Sequence, residues 1–272
     1  MKGCVVMLKQ DKHIHTPFCP HGSQDALQDY VEKAIKSGFT EISFTEHAPL
    51  PPGFVDPTPE QDSGMKLELL EDYFHAISTI KHQYQNDITI LCGLEVDFIE
   101  GFEQQTKDFL TTYGSQLDDA ILSVHFLRHK NTYTCLDFSA EVFSQFALEV
   151  GSYQAVYDLY YATVEKSILA DLGPYRPKRI GHPTLVHKFQ LSFEETIDDT
   201  KQIEHILRLM KTHEWELDVN SAGLSKPDCL EPYPPYEMIT FAKSLGVPLV
   251  FGSDAHTVKG LHQNFERIKE RL

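Results

Sequence analysis

Apolar residues along this chain alternate between two rhythms. Short runs rich in β-branched and aromatic residues predict strands, and longer segments with apolar positions at helical spacing predict helices. Residues 9–15 predict a first strand. Residues 23–37 predict a helix with Ser23 as N-cap, Leu27, Val31, Ala34 and Ile35 on one face, and Gly38 past its end. Residues 42–45 predict a second strand. Residues 48–65 hold Pro49, Pro51, Pro52, Pro57 and Pro59 with Gly53 and Gly64, which rules out a regular element. That segment reads either as an active-site cover or as a surface excursion, with Phe54 as the apolar contact that docks it.

The alternation then continues. Helices are expected over 66–84, 103–113, 139–149, 152–172 and 235–244. A long helix over 193–213 should open on a capping box from Ser192 and Glu195. Strands are expected over 88–95, 120–124, 178–181, 215–220 and 248–251, a turn over 221–227, and a last short helix around Phe265 and Ile268. Residues 126–138 read as irregular. Repeated strand and helix imply an α/β fold with a parallel sheet, either open and doubly wound or closed as a TIM-like barrel. The polar residues decide between them. His13, His15, His47, Glu95, His125, His182, Asp254 and His256 fall at the carboxyl ends of successive strands. An open sheet would spread them out, whereas a barrel brings them to one mouth.

The 272 residues suffice for one barrel, so a single domain over 1–272 is expected. A net charge of -16 weighs against nucleic acid or an anionic membrane as partner. If the substrate is an anion, something positive must sit locally in the site, and metal ions would serve. Cys4, Cys19, Cys92, Cys135 and Cys229 form no C-x-x-C pair. With no signal peptide and no long apolar run, they fit reduced thiols in a cytoplasmic protein. The sequence carries no signature of oligomeric state.

The chemistry centres on His13-Ile14-His15. Residues two apart on a strand face the same way, so both imidazoles can hold one ion. His21 can fold back over the strand end after a Pro-containing turn. Together His13, His15, His21, His47, Glu95, His125, His182, Asp254 and His256 offer seven imidazoles and two carboxylates. That exceeds what one ion needs and suits two or three divalent metal ions, zinc, manganese or iron. Arg176, Arg179, Lys188 and Lys226 lie near loops expected at the mouth and could bind a phosphate. Glu46, Asp56, Phe54 and Tyr161 are candidates for the rest of a substrate.

The ordered set H-x-H, T-E-H, G-L-E, S-V-H, G-H-P and G-S-D-A-H resembles the polymerase-and-histidinol-phosphatase (PHP) superfamily, over about residues 11–256. The segments around His15–Gly22, Phe44–Pro49, Gly93–Asp97 and Asn220–Leu224 are most similar to its histidinol-phosphate phosphatase branch. The resemblance implies a distorted seven-stranded (β/α)7 barrel with a trinuclear site. His13, His15, Glu95 and Asp254 would hold one metal, and Glu95 would bridge to a second held by His125 and His182. His21, His47 and His256 would hold the third. Glu95, Asp254 and His256 would then be catalytic, and Arg176, Arg179, Lys226, Tyr161 and Phe54 would contact substrate. The implied reaction is hydrolysis of the phosphomonoester L-histidinol phosphate, in histidine biosynthesis, by metal-activated water, with Asp254 or a metal-bound water protonating the leaving alcohol. One departure stands out: an arginine is expected soon after the Asn-x-Ala-Gly-Leu run, where this chain has Ser225-Lys226. Competing readings are a phosphodiesterase or nuclease on the same metal site, a non-catalytic metal-binding or regulatory protein, and an amidohydrolase. The last would need a carboxylated lysine at a strand end, and no lysine is so placed.

Overall fold

The computed structural model describes residues 9–272. In chain order its strands are β1 (Gln10–Ile14), β2 (Glu41–His47), β3 (Thr89–Asp97), β4 (Asp119–Ser123), β5 (Phe126–His129), β6 (Thr132–Cys135), β7 (Arg179–Ile180), β8 (Glu216–Asn220) and β9 (Leu249–Gly252). The main helices are α1 (Leu27–Lys36), α2 (Leu70–Gln83), α3 (Glu103–Tyr113), α4 (Ala140–Val150), α5 (Tyr153–Leu169), α6 (Thr200–Thr212), α7 (Tyr236–Leu245) and α8 (Phe265–Ile268). Seven strands pair in parallel in the order β1-β2-β3-β4-β7-β8-β9.

The first and last strands meet and nearly close the sheet into a barrel. Ile14 bridges Ala255 in parallel, the His15 amide donates to the Ala255 carbonyl (2.9 Å), and the Asp254 amide donates to the His13 carbonyl (2.8 Å). Lower in the same seam a side chain joins the two strands: the Asp11 carboxylate accepts from the Ser253 amide (2.9 Å) and pairs with His262 (2.8 Å). The β1–β2 register is irregular between Asp11 and Ile14, where the distortion concentrates.

Strands covered by helices outside and filled by side chains inside should be apolar on both faces. After its first residue β2 is buried throughout. Close approach inside the barrel depends on glycine at two points. A Cβ on Gly252 would sit 2.4 Å from the Asp218 carboxylate and 2.6 Å from the His13 Cβ, and one on Gly181 would sit 2.0 Å from the Ser123 hydroxyl. Among the described residues no helix is long and apolar enough to cross a membrane, and Cys19, Cys92, Cys135 and Cys229 are free thiols. Cys4 lies outside the described residues.

Three local expectations are corrected. Ser23 does not cap α1, which starts at Leu27 behind Ala26; its hydroxyl instead accepts from the Asp25 amide (3.3 Å). The helix expected over 193–213 begins only at Thr200, and Ser192 and Glu195 form no capping box. Phe193 turns away to stack on Tyr153, with ring centroids 4.0 Å apart, so tertiary packing overrides the local capping signal. Residues 126–138 are not irregular throughout, because β5 and β6 form an antiparallel hairpin. Lys130 takes the left-handed turn conformation at φ 56°, a role with no glycine to announce it.

Candidate metal centre

Seven of the nine predicted ligands line one cavity of about 570 Å3 at the carboxyl end of the barrel, and His13 and His15 lie fully buried against it. His13 ends near the top of β1 and His15 follows it; His47 closes β2. His125, His182 and Asp254 each come two residues after a strand, β4, β7 and β9 respectively. Asp254 adopts φ 53°, in the left-handed region that L residues avoid, and its carboxylate is thereby turned toward the histidines. Glu95 is not the end of its strand, since β3 runs on to Asp97.

Glu95 is the centre of the cluster. Its Oε1 accepts from the Ser123 hydroxyl (2.6 Å) and meets His182 Nε2 (2.9 Å). Its Oε2 lies 3.2 Å from His13 Nε2, 3.5 Å from His15 Nε2 and 3.2 Å from His47 Nδ1, yet makes no hydrogen bond. The three facing nitrogens are equally unpartnered and buried. Asp254 Oδ1 stands 3.2 Å from His15 Nε2 and 3.8 Å from His13 Nε2. Orphaned nitrogen and oxygen atoms facing one another in a buried site are costly unless something positive and shared sits among them. The donor set fits a divalent cation.

The far side of each ring explains the aim. His13 Nδ1 is held by Asp218 (2.8 Å), His125 Nδ1 by Asp97 (2.7 Å), His15 Nδ1 by Glu46 (3.3 Å), and His21 Nδ1 by the Asp62 carbonyl (2.9 Å). An Nδ1–H held by an oxygen fixes the tautomer and leaves the Nε2 lone pair free, the usual arrangement behind a metal-ligating imidazole. Sequence reasoning missed Asp97 and Asp218 and gave Glu46 a different role. Asp97 was in reach of the same rule that selected H-x-H, because it lies two residues beyond Glu95 on the same strand. The Cys19 thiol was also missed; it groups with His15, His47 and His256 within 4.8 Å.

Three sets of ligand atoms lie close enough to share an ion: His13, Glu95 and His182; His13, His15 and Asp254; and the group containing Cys19. The centroid of the His21 ring is 5.1 Å from that of His47 and 5.2 Å from that of His256. Electrostatics follow the same plan. Burial disfavours a charged His15, but Asp254 and Glu46 outweigh it and lift its pKa to about 9. Burial likewise opposes charge on His125, and Asp97 raises it to about 10. His47 and His256 are pushed well down by burial and by charge on His15. Burial opposes ionisation of Glu95 and Asp254, yet His13 above all holds both well below the ordinary carboxylate range. Two ionised carboxylates buried among imidazoles call for positive charge beside them, which a divalent cation would supply while the Nε2 atoms keep their lone pairs.

The predicted substrate contacts fare differently. Lys226 lines the cavity. Arg179 does not reach the mouth: it is buried within the barrel, donating to Asp119 (2.7 Å) and to the Lys12 carbonyl (3.0 Å). Arg176 lies over the Trp215 ring (4.3 Å) and donates to the His213 carbonyl. Tyr161 donates to Asp199 (2.5 Å), away from the cavity. Phe54 packs edge-on against Phe102, Phe126 and Tyr133, which docks the 48–65 segment onto the β5–β6 hairpin. That segment contributes Thr58, Asp62 and Ser63 to the cavity wall. Asp56 is buried in its own loop, accepting from the Thr58 and Ser63 amides. Lys188 also lines the cavity, paired with Asp137 (2.8 Å).

Comparison with known proteins agrees with this geometry. The model of the PHP domain family matches residues 11–222. A histidinol-phosphatase of Bacillus subtilis is 47% identical over 267 residues, covering 97% of this chain and all of that protein. A Listeria monocytogenes protein assigned as a histidinol phosphatase has a crystal structure with TM-score 0.90 at 40% identity, covering 95% of this chain and 99% of that one. Histidinol phosphate phosphatase from Lactococcus lactis, solved with zinc, L-histidinol and phosphate, shares the fold at TM-score 0.72 and 20% identity, over 97% of this chain and 94% of that one.

Proposed function

The chain belongs to the PHP domain family, and from that premise we propose that it is a metal-dependent phosphomonoesterase that hydrolyses L-histidinol phosphate to L-histidinol and phosphate. The observation that carries this is that His13 and His15, anchored at Nδ1, and His47 turn unpartnered nitrogens on an unpartnered Glu95 oxygen. The names of the relatives supply the substrate, and the zinc, L-histidinol and phosphate held by the Lactococcus protein agree with it.

His13, His15, His21, His47, Glu95, His125, His182, Asp254 and His256 would hold two or three divalent ions, zinc, manganese or iron. Such ions supply Lewis-acid charge that neutralises phosphate oxygens and lowers the pKa of water. The protein's own residues do the rest. Asp218, Asp97 and Glu46 fix the ring orientations. Lys226 and Lys188 bring positive charge to the wall of an otherwise acidic molecule. Asp254 rests as a carboxylate, so it suits taking a proton from the attacking water and passing it to the departing alkoxide, rather than starting as the acid. The chain acts as one catalytic domain on a small cytoplasmic substrate.

The test is phosphate release from L-histidinol phosphate beside an aryl phosphate and an aryl phosphodiester, with zinc, manganese or iron supplied. A preference of about a hundredfold or more for histidinol phosphate over the aryl monoester is expected, lost with His13→Ala. Equal slow rates on all monoesters would remove the substrate assignment, and hydrolysis of the diester alone would replace it with a phosphodiesterase.

A further inference from the structure

The rings that face the metal centre are not held alike. Buried carboxylates stand behind His13, His15 and His125, namely Asp218, Glu46 and Asp97. His21 is exposed, and among the described residues its ring makes one hydrogen bond, from Nδ1 to the Asp62 carbonyl (2.9 Å). Its backbone is fixed from elsewhere: the Gly22 amide donates to the Cys19 carbonyl (3.2 Å) and the Ser23 amide to the His256 carbonyl (3.0 Å). The aim of the ring therefore depends on where Asp62 sits. A neutral carbonyl raises the basicity of an imidazole less than a carboxylate does, so His21 is also the weakest donor of the four.

Asp62 belongs to the 48–65 segment, a loop closed on itself and fastened at three points. At its neck the Met65 amide returns to the His47 carbonyl (3.2 Å), and a Cβ on Gly64 would sit 2.7 Å from the Ala48 carbonyl oxygen. Within the loop the Asp56 carboxylate accepts from the Thr58 amide (2.9 Å), the Thr58 hydroxyl (2.8 Å) and the Ser63 amide (2.9 Å), which shapes the turn that carries Asp62. On its far side Phe54 plugs a small apolar cluster built on Ile99 and Phe126, separate from the main core. The neck secures the base of the loop alone; Phe54 presses its body onto the β5–β6 hairpin. We propose that Phe54 is a positioning residue for the outermost metal ion: by docking the loop it sets the Asp62 carbonyl behind His21, so that an ion shared by His21, His47 and His256 is held tightly only while the loop is docked. This rests on the metal centre of the reading above and deepens it. The inner ligands do not depend on the loop, because Glu46, Asp97 and Asp218 lie on β2, β3 and β8. One ion should therefore exchange more readily than the rest.

Zinc binding tests this without any substrate. The zinc-loaded protein is equilibrated in buffers of graded free zinc, and the ions retained are counted by mass spectrometry. Phe54→Ala should raise the dissociation constant of the most weakly held ion by on the order of tenfold or more, with the tighter ions within about threefold of wild type. Retention of those ions shows that the barrel is folded. Phe54→Tyr, which keeps the ring, should restore most of the affinity. Asp56→Ala, which loosens the same turn from within, should act in the same direction as Phe54→Ala. His21→Ala should weaken the same ion, and adding Phe54→Ala to it should change little further, because both act through one contact. Equal loss of every ion in Phe54→Ala, or loss of none, would overturn the proposal. So would an effect of Phe54→Ala that persists in full beside His21→Ala. Those outcomes leave phosphate release by the wild type untouched. A zinc-loaded wild type that releases no phosphate from L-histidinol phosphate would instead overturn the phosphatase reading and leave the role of Phe54 standing, and a wild type that binds no zinc would overturn both.

Discussion

Two buried histidine clusters sit in this barrel, and they are opposites. Around Glu95, imidazole nitrogens of His13, His15 and His47 face a carboxylate oxygen and none of the four atoms has a hydrogen-bond partner. Around His187 every polar atom of the ring is answered: Nε2 meets Asp199 (2.6 Å), Nδ1 meets Glu231, Tyr161 donates to the same Asp199 oxygen, and Tyr157 stacks on the ring at 5.6 Å. Both are rich in His and acid. Only the first has donor atoms left over for something else. Residue type therefore does not separate a metal centre from a structural knot; unsatisfied valence does.

The strongest challenge to that distinction is Glu95→Ala. If Glu95 is shared between ions, its loss removes the common wall of two sites. Turnover of L-histidinol phosphate should fall by about a thousandfold or more, and bound metal measured by mass spectrometry should drop with it. Full metal content with a normal fold would mean that the orphaned atoms around Glu95 are not what holds the ions.

A finer cut removes a residue that never touches the ion. Asp218→Asn keeps the shape of the contact but takes away the charge that fixes the His13 tautomer at 2.8 Å. The expected loss is about 10–100-fold in metal affinity or in activity at limiting metal, recovered in part when metal is supplied in excess. Unchanged metal dependence would reduce Asp218 to a packing residue beneath Gly252.

The barrel and the convergence of the candidate ligands were legible because parallel strands advertise themselves twice, by apolar runs and by the polar residue left at each carboxyl end. His47, His125 and His182 could be found from that rule alone. What was illegible depended on contacts distant in sequence. Asp218 reaches His13 across 205 positions, and nothing local to it signals the pairing. Arg176 and Arg179 misled for a related reason. Sequence marks them as near a strand but not as near which end of it, and β7 holds just Arg179 and Ile180, so both cations fall before the mouth rather than at it. The hairpin at 126–135 escaped because its turn uses Lys130 in a left-handed conformation instead of glycine. The 193–199 segment escaped because Tyr153 and Phe143 capture Phe193 where a capping box promised a helix.

The smallest effect belongs to the satisfied cluster, and it has a sign. Burial opposes a charged His187, but hydrogen bonds to Asp199 and Glu231 outweigh it and raise its pKa to about 9 from an ordinary 6.5. A histidine raised on folding stabilises the native state fully below its unfolded pKa and stops doing so as pH climbs through the folded one. The contribution should therefore be present at pH 6 and fade between roughly 6.5 and 9, to a total on the order of 3 kcal/mol. His187→Gln removes the titration while keeping a polar side chain. In urea unfolding of the metal-loaded protein, the variant should be less stable than wild type at pH 6, and the gap should narrow by pH 9.5. Its metal content should not change at either pH. A gap that is constant with pH would mean that His187 is neutral in the fold and acts by shape alone. A loss of metal on His187→Gln would erase the line between the two clusters, because a ring with both nitrogens already occupied would then be part of the metal centre after all.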